Sequence, residues 1–121
     1  MKFKDDCIFC KIANKRIPVE IIEETDGFIV IKDMNPVAPI HLLIISKSHY
    51  DSVLDVGCKN IADKSGGGGE LFGILGSLAD KFNVADKGFR TVINTKEDGG
   101  QTVNHLHIHF MAGRGFGWPP G

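Results

Sequence analysis

The chain has 121 residues, of which 42% are hydrophobic and 24% charged, as expected for one globular domain over residues 1–121. Its formal net charge of −1 gives no general attraction to nucleic acid or to an anionic membrane, so neither partner is expected and any phosphate site must be local. No apolar run reaches the roughly 18 residues of a membrane span. The opening MKFKDDCIFCKI places charges where a signal peptide needs apolar residues, and the odd number of cysteines, 3, fits a reducing compartment, so we expect a cytoplasmic protein.

The first part of the sequence predicts a short helix and three strands. The helix is expected over Cys7–Lys15, with Asp5 or Asp6 as its N-cap. The segment Thr25–Gly27, Thr-Asp-Gly, is a hairpin signal between the first two strands. The strands are expected at Val19–Glu23, Phe28–Ile31 and His41–Ser46.

The second part predicts a long helix and two further strands. Ser48–Lys64 is expected to hold a short helix and a loop, in which Cys58 has a structural role, and Ser65–Gly69 is expected to be a flexible link. Apolar residues then recur at helical spacing over about 14 residues, at Leu71, Leu75, Leu78 and Phe82. The last strands are expected at Phe89–Asn94 and His105–Met111, before an irregular tail over Gly113–Gly121. These elements predict an α+β domain, a five-stranded antiparallel sheet with one long and one short helix on one face.

Three histidines alternate with apolar residues in the last predicted strand. Because side chains on a strand alternate between its faces, His105, His107 and His109 are expected on one face, roughly 6.5–7 Å apart in succession. Like charges repel, so some of these imidazoles must stay neutral near neutral pH. A neutral imidazole can act as a nucleophile, and its neighbours as acids or hydrogen-bond donors.

Two other interpretations of the histidines are weaker. An incidental set on a solvated face is hard to reconcile with strict alternation. A metal centre of all three is opposed by distance, since the first and third residues of a flat strand lie roughly 13 Å apart. The preceding loop favours phosphate instead, because glycines let backbone N–H groups approach an oxyanion and polar side chains can donate to it. The donors there are Asn94, Gly100, Gln101 and Thr102.

Three separated segments resemble the histidine-triad family, in the same order. Gly100–Met111, GQTVNHLHIHFM, resembles its signature His-φ-His-φ-His-φ-φ, where φ is apolar, and Asp33–Ile45, DMNPVAPIHLLII, resembles its upstream segment. The tail Trp118–Gly121, WPPG, resembles the Hint branch, the nucleoside phosphoramidases. The resemblance covers Cys7 to Gly121 and implies a homodimer whose two sheets join into one.

The resemblance implies a hydrolase that cleaves the P–N or acyl phosphate bond of purine nucleoside 5'-phosphoramidates or acyl-nucleotides. His107 would be the nucleophile that forms a nucleotidyl-histidine, His109 would bind the phosphate, and His105 would support the relay with His41. Asn94, Gly100, Gln101 and Thr102 would surround the α-phosphate, and Asp33 would bind the ribose. The base pocket would be Ile8, Phe9, Ile12, Ile17, Ile31 and Met34, with Trp118 packing near the partner's active site.

The motif Cys7-Ile8-Phe9-Cys10 leaves three interpretations open. A redox pair is possible at a helix start, but the βαβ context of thioredoxin-like proteins is missing. Buried inert thiols are the second interpretation. The third is a structural zinc site completed by His49 and His105, similar to the Cys, Cys, His, His set of the related galactose-1-phosphate uridylyltransferases. In that case His105 could not also carry protons.

Two alternative functions are dinucleoside polyphosphate hydrolysis, the activity of the Fhit branch, and a non-catalytic zinc-containing nucleotide-binding module. The C-terminal Trp118–Gly121 segment favours the phosphoramidase over the first. An intact set of Asn94, Thr102, His107 and His109 argues against the second, because a binding module needs no nucleophile.

Overall fold

The structure is a computed structural model that describes residues 2–56 and 67–121. Its strands are β1 Glu23–Glu24, β2 Phe28–Lys32, β3 Ile40–Ser46, β4 Arg90–Val92 and β5 His107–Ala112. Its helices are α1 Ile8–Ala13, α2 Val53–Val56, α3 Gly68–Lys81 and α4 Lys96–Gly99. Among these residues, no helix has the length and apolarity needed to cross a bilayer.

The described strands form one sheet in the order β1-β2-β3-β5-β4, with every neighbouring pair antiparallel. The predicted α+β domain with a five-stranded antiparallel sheet is therefore confirmed. The two longest strands, β3 and β5, are central, and their register pairs Ile45 with His107 and Leu43 with His109. The histidine strand β5 therefore lies inside the sheet, between β3 and the edge strand β4.

Both faces of the sheet are covered, so the expectation of helices on one face is wrong. One core cluster packs α3, through Ile74 and Leu78, against the strand residues Phe28, Val30, Leu42, Ile44, Ile108 and Phe110. The alternate residues Ile29, Ile31, Leu43 and Ile45 pack against Ile12 and Ala13 of α1. The reason is visible in β2 and β3, whose near-continuous apolar runs are typical of strands buried on both sides.

Several predicted helices and strands are longer than the observed ones. The strands predicted at Val19–Glu23 and Phe89–Asn94 shrink to β1 and β4, because each lies at a sheet edge with one partner among the described strands. The helix predicted over Cys7–Lys15 ends at Ala13, since Lys15 adopts a left-handed φ of 64°. Its N-cap is neither Asp5 nor Asp6 but Cys7, whose Sγ accepts a hydrogen bond from the N–H of Cys10 at 3.4 Å.

The segment between β3 and α3 is described only in part. The short helix expected within Ser48–Lys64 is α2, while residues 57–64, which include Cys58, lie outside the described residues. The flexible link expected over Ser65–Gly69 is partly helical, because Gly67 is the N-cap of α3 and Gly68 begins the helix. Residues 65 and 66 lie outside the described part of the chain. α4 is a single helical turn that the sequence did not predict.

The tail that follows β5 has no helix or strand, as predicted. It begins at Gly113, which adopts a left-handed φ of 94° and lies against Pro39 of the β2–β3 loop. A Cβ built on Gly113 would lie 2.8 Å from the Cβ of Pro39, closer than real carbon atoms approach. Glycine is therefore required there by both backbone conformation and space.

We predict that Gly113→Ala destabilises the protein by about 1–2 kcal/mol, since alanine is strained at positive φ and meets Pro39. Gly115→Ala is the matched control, because a Cβ there meets nothing within 4 Å and the residue has no positive φ. Urea denaturation of the two variants measures the difference. Equal midpoints for both variants would show that the Gly113–Pro39 contact yields without cost.

Candidate active site and metal centre

The histidines of the last strand divide between two sites. His107 and His109 lie in β5 on the face that α1 covers, as the alternation predicts. His105 lies before the strand, because its N–H bonds to the carbonyl of Val103 at 2.9 Å in a tight turn. The strand predicted at His105–Met111 therefore begins at His107, two residues later than predicted. The side chain of His105 points into a separate buried cluster.

His107 is held in one tautomer by the main chain. Its Nδ1 lies 2.7 Å from the carbonyl oxygen of His105, and a carbonyl can only accept, so Nδ1 carries the proton. The Nε2 lone pair is consequently free. The ring is only 7% exposed and meets the edge of the Phe9 ring at a centroid distance of 5.0 Å. A fixed, largely buried imidazole with a free lone pair can act as a nucleophile.

A second pair of imidazoles, His41 and His109, is ordered in the same way. The N–H of Val37 donates to Nδ1 of His41 at 3.1 Å, so the proton of the neutral His41 ring must lie on Nε2. This Nε2–H lies 2.9 Å from Nδ1 of His109 and 3.3 Å from a carboxylate oxygen of Asp33. Because Nδ1 of His109 accepts, His109 carries its own proton on Nε2, where it can donate to an anion.

The predicted partnership of His41 with His105 is therefore replaced by one with His109. His105 bonds instead to the carbonyl of Ser46 and to the cysteine cluster. Asp33, expected to face a ribose, lies beside His41 and accepts a hydrogen bond from the N–H of Asn35. Burial, reinforced by the neighbouring charges of His107 and His41, lowers the pKa of His109 below its ordinary value.

The polar residues of the loop between β4 and β5 differ in whether their side chains are already hydrogen-bonded. Gly100 ends α4 with a left-handed φ of 75°, the conformation that suits glycine at a helix C-terminus. The side chain of Gln101 is occupied, because its amide donates to the carbonyls of Asp51 and Val103 and its oxygen accepts from Lys96. Gln101 therefore shapes this loop. Thr102 is exposed and Asn94 is half-buried.

The predicted base-pocket residues fall into two groups. Four of them belong to the apolar cluster on the histidine face, namely Phe9, Ile12, Ile17 and Ile31. Ile8 and Met34 lie outside that cluster, with 53% and 93% of their surface exposed. Trp118 is also largely exposed, at 83%. The structure thus brings together an apolar patch and the imidazoles, while three predicted contacts stand apart from both.

The predicted metal residues Cys7, Cys10, His49 and His105 converge on one point. Their ligand atoms all lie within 4.8 Å of one another, and Nδ1 of His105 lies 3.2 Å from Sγ of Cys7 and 3.4 Å from Sγ of Cys10. Nδ1 of His49 lies 3.2 Å from Sγ of Cys10. Cys7 reaches this point as the N-cap of α1, and Cys10 follows one helical turn later.

The protonation of this cluster suits a cation. His105 donates its Nε2–H to Ser46 and His49 donates its Nε2–H to Asp51, both at 2.7 Å, so each ring turns an Nδ1 lone pair inward. The two Nδ1 atoms are only 3.1 Å apart, so their lone pairs repel unless a thiol proton or a cation lies between them. Such outer partners are typical of metal-binding histidines, and two thiols with two imidazoles are a donor set for zinc.

Burial sets the charge state of the same groups in the absence of a cation. It lowers the pKa of His105 to about 4, helped by neighbouring His49 and His107, so the ring is neutral at physiological pH. It raises the pKa of Cys10 to about 11. The hydrogen bond from His49 holds the pKa of Asp51 below its ordinary value. A divalent cation would reverse the preference of the thiols and favour thiolates.

Most of the groups that orient the rings could not be predicted from the sequence. The N–H of Val37 and the carbonyls of Ser46 and His105 are main-chain atoms, for which no residue type gives a signal. Asp51 could have been found, because a carboxylate two residues after a histidine is a common outer partner of a metal ligand.

The HIT domain family matches this chain over residues 14–116. The purine nucleoside phosphoramidase of Escherichia coli K12 is 33% identical to it and aligns over 93% of this chain and 92% of that protein. A histidine triad protein from Clostridium difficile superposes with a TM-score of 0.84 at 39% identity, covering 94% of this chain and 96% of that one. A HIT family hydrolase from Legionella pneumophila gives a TM-score of 0.86 at 35% identity, covering 96% and 100%. The chain belongs to the histidine-triad family, with a hydrolase-type nucleotide-binding fold.

Proposed function

We propose that the protein hydrolyses purine nucleoside 5'-phosphoramidates or acyl-nucleotides through a covalent nucleotidyl-histidine. The observation that carries the proposal is the bond from Nδ1 of His107 to the His105 carbonyl, which leaves Nε2 free as a nucleophile. The similarity to the phosphoramidase of E. coli supports the same reaction class. A non-catalytic module would have no use for a tautomer held in this way.

The reaction divides into two displacements at the α-phosphorus. Nε2 of His107 forms a bond to phosphorus while the P–N bond breaks, and the amine leaves with that electron pair and takes up one proton. Water then attacks the same phosphorus, the P–Nε2 bond breaks, and the water releases one proton, so the cycle returns the proton it consumed. The Nε2–H of His109 would hold a phosphate oxygen, with Asn94, Gly100 and Thr102 on the loop beside it.

The nucleoside end of the substrate would lie on the α1 side of the sheet. Phe9, Ile12, Ile17 and Ile31 offer an apolar surface to a purine, and the ring of Phe9 meets that of His107. Asp33, at the end of β2, would accept hydrogen bonds from the ribose. Gln101 would support the phosphate loop rather than bind the substrate, since its amide is already bonded.

Replacing His107 with Asn tests the nucleophile. We expect turnover of an adenosine phosphoramidate to fall at least about a thousandfold, while AMP binding is retained, because loss of a covalent nucleophile costs far more than loss of a contact. Single-turnover assays with acid-quenched mass spectrometry should detect a nucleotidyl adduct on His107 of the wild type and none on His107→Asn.

His109→Asn is the matched comparison, because it removes an imidazole from the same strand face without removing the nucleophile. It should slow the reaction yet still give the adduct. Activity of His107→Asn within about tenfold of wild type would refute the assignment.

The pH dependence follows from His109. Its pKa is lowered, so the neutral ring that accepts from His41 persists below the ordinary histidine value of about 6.5. Further acidification adds a proton to Nδ1 and breaks that bond. We therefore expect kcat/KM for an adenosine phosphoramidate to be constant near neutral pH and to fall only as the pH drops below the ordinary histidine value. A profile that already falls on acidification above about pH 6.5 would contradict the lowered pKa of His109.

We also propose that Cys7, Cys10, His49 and His105 hold a structural zinc ion. Four protein ligands would close the coordination sphere, so the ion would supply folding free energy and an anchored His105 rather than activated water. A cytoplasmic location would suit this site, because a reducing compartment keeps both thiols available.

We expect protein purified without chelator to contain about one zinc per chain. His49→Ala should lose the metal and lower the melting temperature, whereas His41→Ala, which removes an imidazole outside the cluster, should keep it. Elemental analysis and thermal melts measure both. Well under one zinc per chain, with Cys7 and Cys10 both alkylated in the folded protein, would exclude the site.

We propose a homodimer as well. β4 pairs with β5 and lies at an edge of the described sheet, so its outer hydrogen-bonding groups are available to a second copy. Phe72 on α3 and Ile93 after β4 are exposed apolar side chains that such a contact would cover. Trp118, exposed in the single chain, would then be free to reach the partner's site.

A further inference from the structure

The C-terminal tail makes a specific contact with the loop that orders the second imidazole pair. Nε of Arg114 donates to the carbonyl oxygen of Val37 at 3.0 Å, across 77 positions in the chain. Val37 is the residue whose N–H donates to Nδ1 of His41. Val37 in the β2–β3 loop is thus bonded to the tail through its carbonyl and to the ring of His41 through its N–H.

The position of Arg114 is itself well determined. Its guanidinium lies 4.2 Å from the centroid of the Phe116 ring, and its NH1 donates to the carbonyl of Gly115 at 2.9 Å. Just before it, Gly113 packs against Pro39 of the same loop. A planar, multidentate donor stacked on an aromatic ring loses little freedom when it bonds to a carbonyl.

We propose that Arg114 is a positioning residue for the phosphate-binding donor of the active site, a role that rests on the proposed function of His109. Arg114 fixes Val37, and the N–H of Val37 then holds the proton of His41 on Nε2. His41 donates to Nδ1 of His109, which turns the only N–H of His109 to Nε2, where a phosphate oxygen can accept it. Arg114 therefore acts through three successive hydrogen bonds without touching the substrate.

Arg90 provides a matched control on the same tail. Its guanidinium also lies over Phe116, at 5.2 Å, and its NH2 donates to the carbonyl of Gly117 at 2.8 Å. Within residues 2–56 and 67–121, these contacts of Arg90 are with the tail and not with the β2–β3 loop. Arg90→Gln therefore loosens the tail while leaving the bond to Val37 in place, whereas Arg114→Met removes that bond and keeps an apolar stem on Phe116.

The first readout is the tautomer of His41, measured by long-range ¹H–¹⁵N correlation spectra of protein labelled with ¹⁵N-histidine. Wild type and Arg90→Gln should show only the Nε2–H form, and Arg114→Met should add the Nδ1–H form. Arg114→Lys, which retains a donor, should restore the wild-type pattern. An unchanged His41 in folded Arg114→Met, or the same change in Arg90→Gln, would overturn the proposal.

The second readout compares two ligands that differ by one phosphate. By titration calorimetry, Arg114→Met should weaken AMP binding about fivefold, the size of one impaired hydrogen bond, and leave adenosine binding within about twofold. Equal losses for both ligands, or none for AMP, would overturn the proposal. If wild type fails to hydrolyse phosphoramidates, the proposed function falls, but the tautomer spectra and AMP binding still decide the role of Arg114.

Discussion

The hydrogen bond between Nδ1 of His107 and the carbonyl oxygen of His105 is the contact on which the site depends. His105 thus takes part in both sites. Its side chain lies in the cysteine cluster, and its carbonyl orients the ring of His107. Contacts that hold the His105 side chain therefore also restrain the segment that carries its carbonyl. The buried cluster and the proposed nucleophile His107 are therefore linked directly through His105.

A main-chain group also sets the tautomer in the other imidazole pair, His41 and His109. Val37 provides an amide where His105 provides a carbonyl, and in both cases a main-chain group decides which nitrogen of a ring carries the proton. Main-chain donors and acceptors do not titrate, so the tautomers stay defined over the pH range in which the rings are neutral. Asp33 lies close to both rings, with a carboxylate oxygen 3.3 Å from Nε2 of His41 and 4.0 Å from Nδ1 of His109.

The features that could be predicted from the sequence are those that depend on spacing between nearby residues. Alternation placed His107 and His109 on one face of β5, and the CxxC motif with two histidines named the residues that converge, because spacing along a strand or a helical turn translates directly into geometry. The turn that takes His105 out of the strand depends on Val103, and the partner of His41 depends on sheet register. These arrangements arise from main-chain contacts between distant segments, which residue type does not encode. α1 was assigned to the wrong face for a related reason, since an apolar run in β3 does not say what covers each side.

The alternation in β5 has a consequence for how the chain folds. Leu106, Ile108 and Phe110 are buried under α3, and the residues between them face α1. A register error of one position would carry imidazoles into the hydrocarbon core, at a cost of about 1–3 kcal/mol for each unpaired polar group, and would leave the large apolar side chains on the wrong side. A shift of β5 by an odd number of residues is therefore strongly disfavoured. A chain that reaches the native topology therefore also has His107 and His109 on the face that α1 covers.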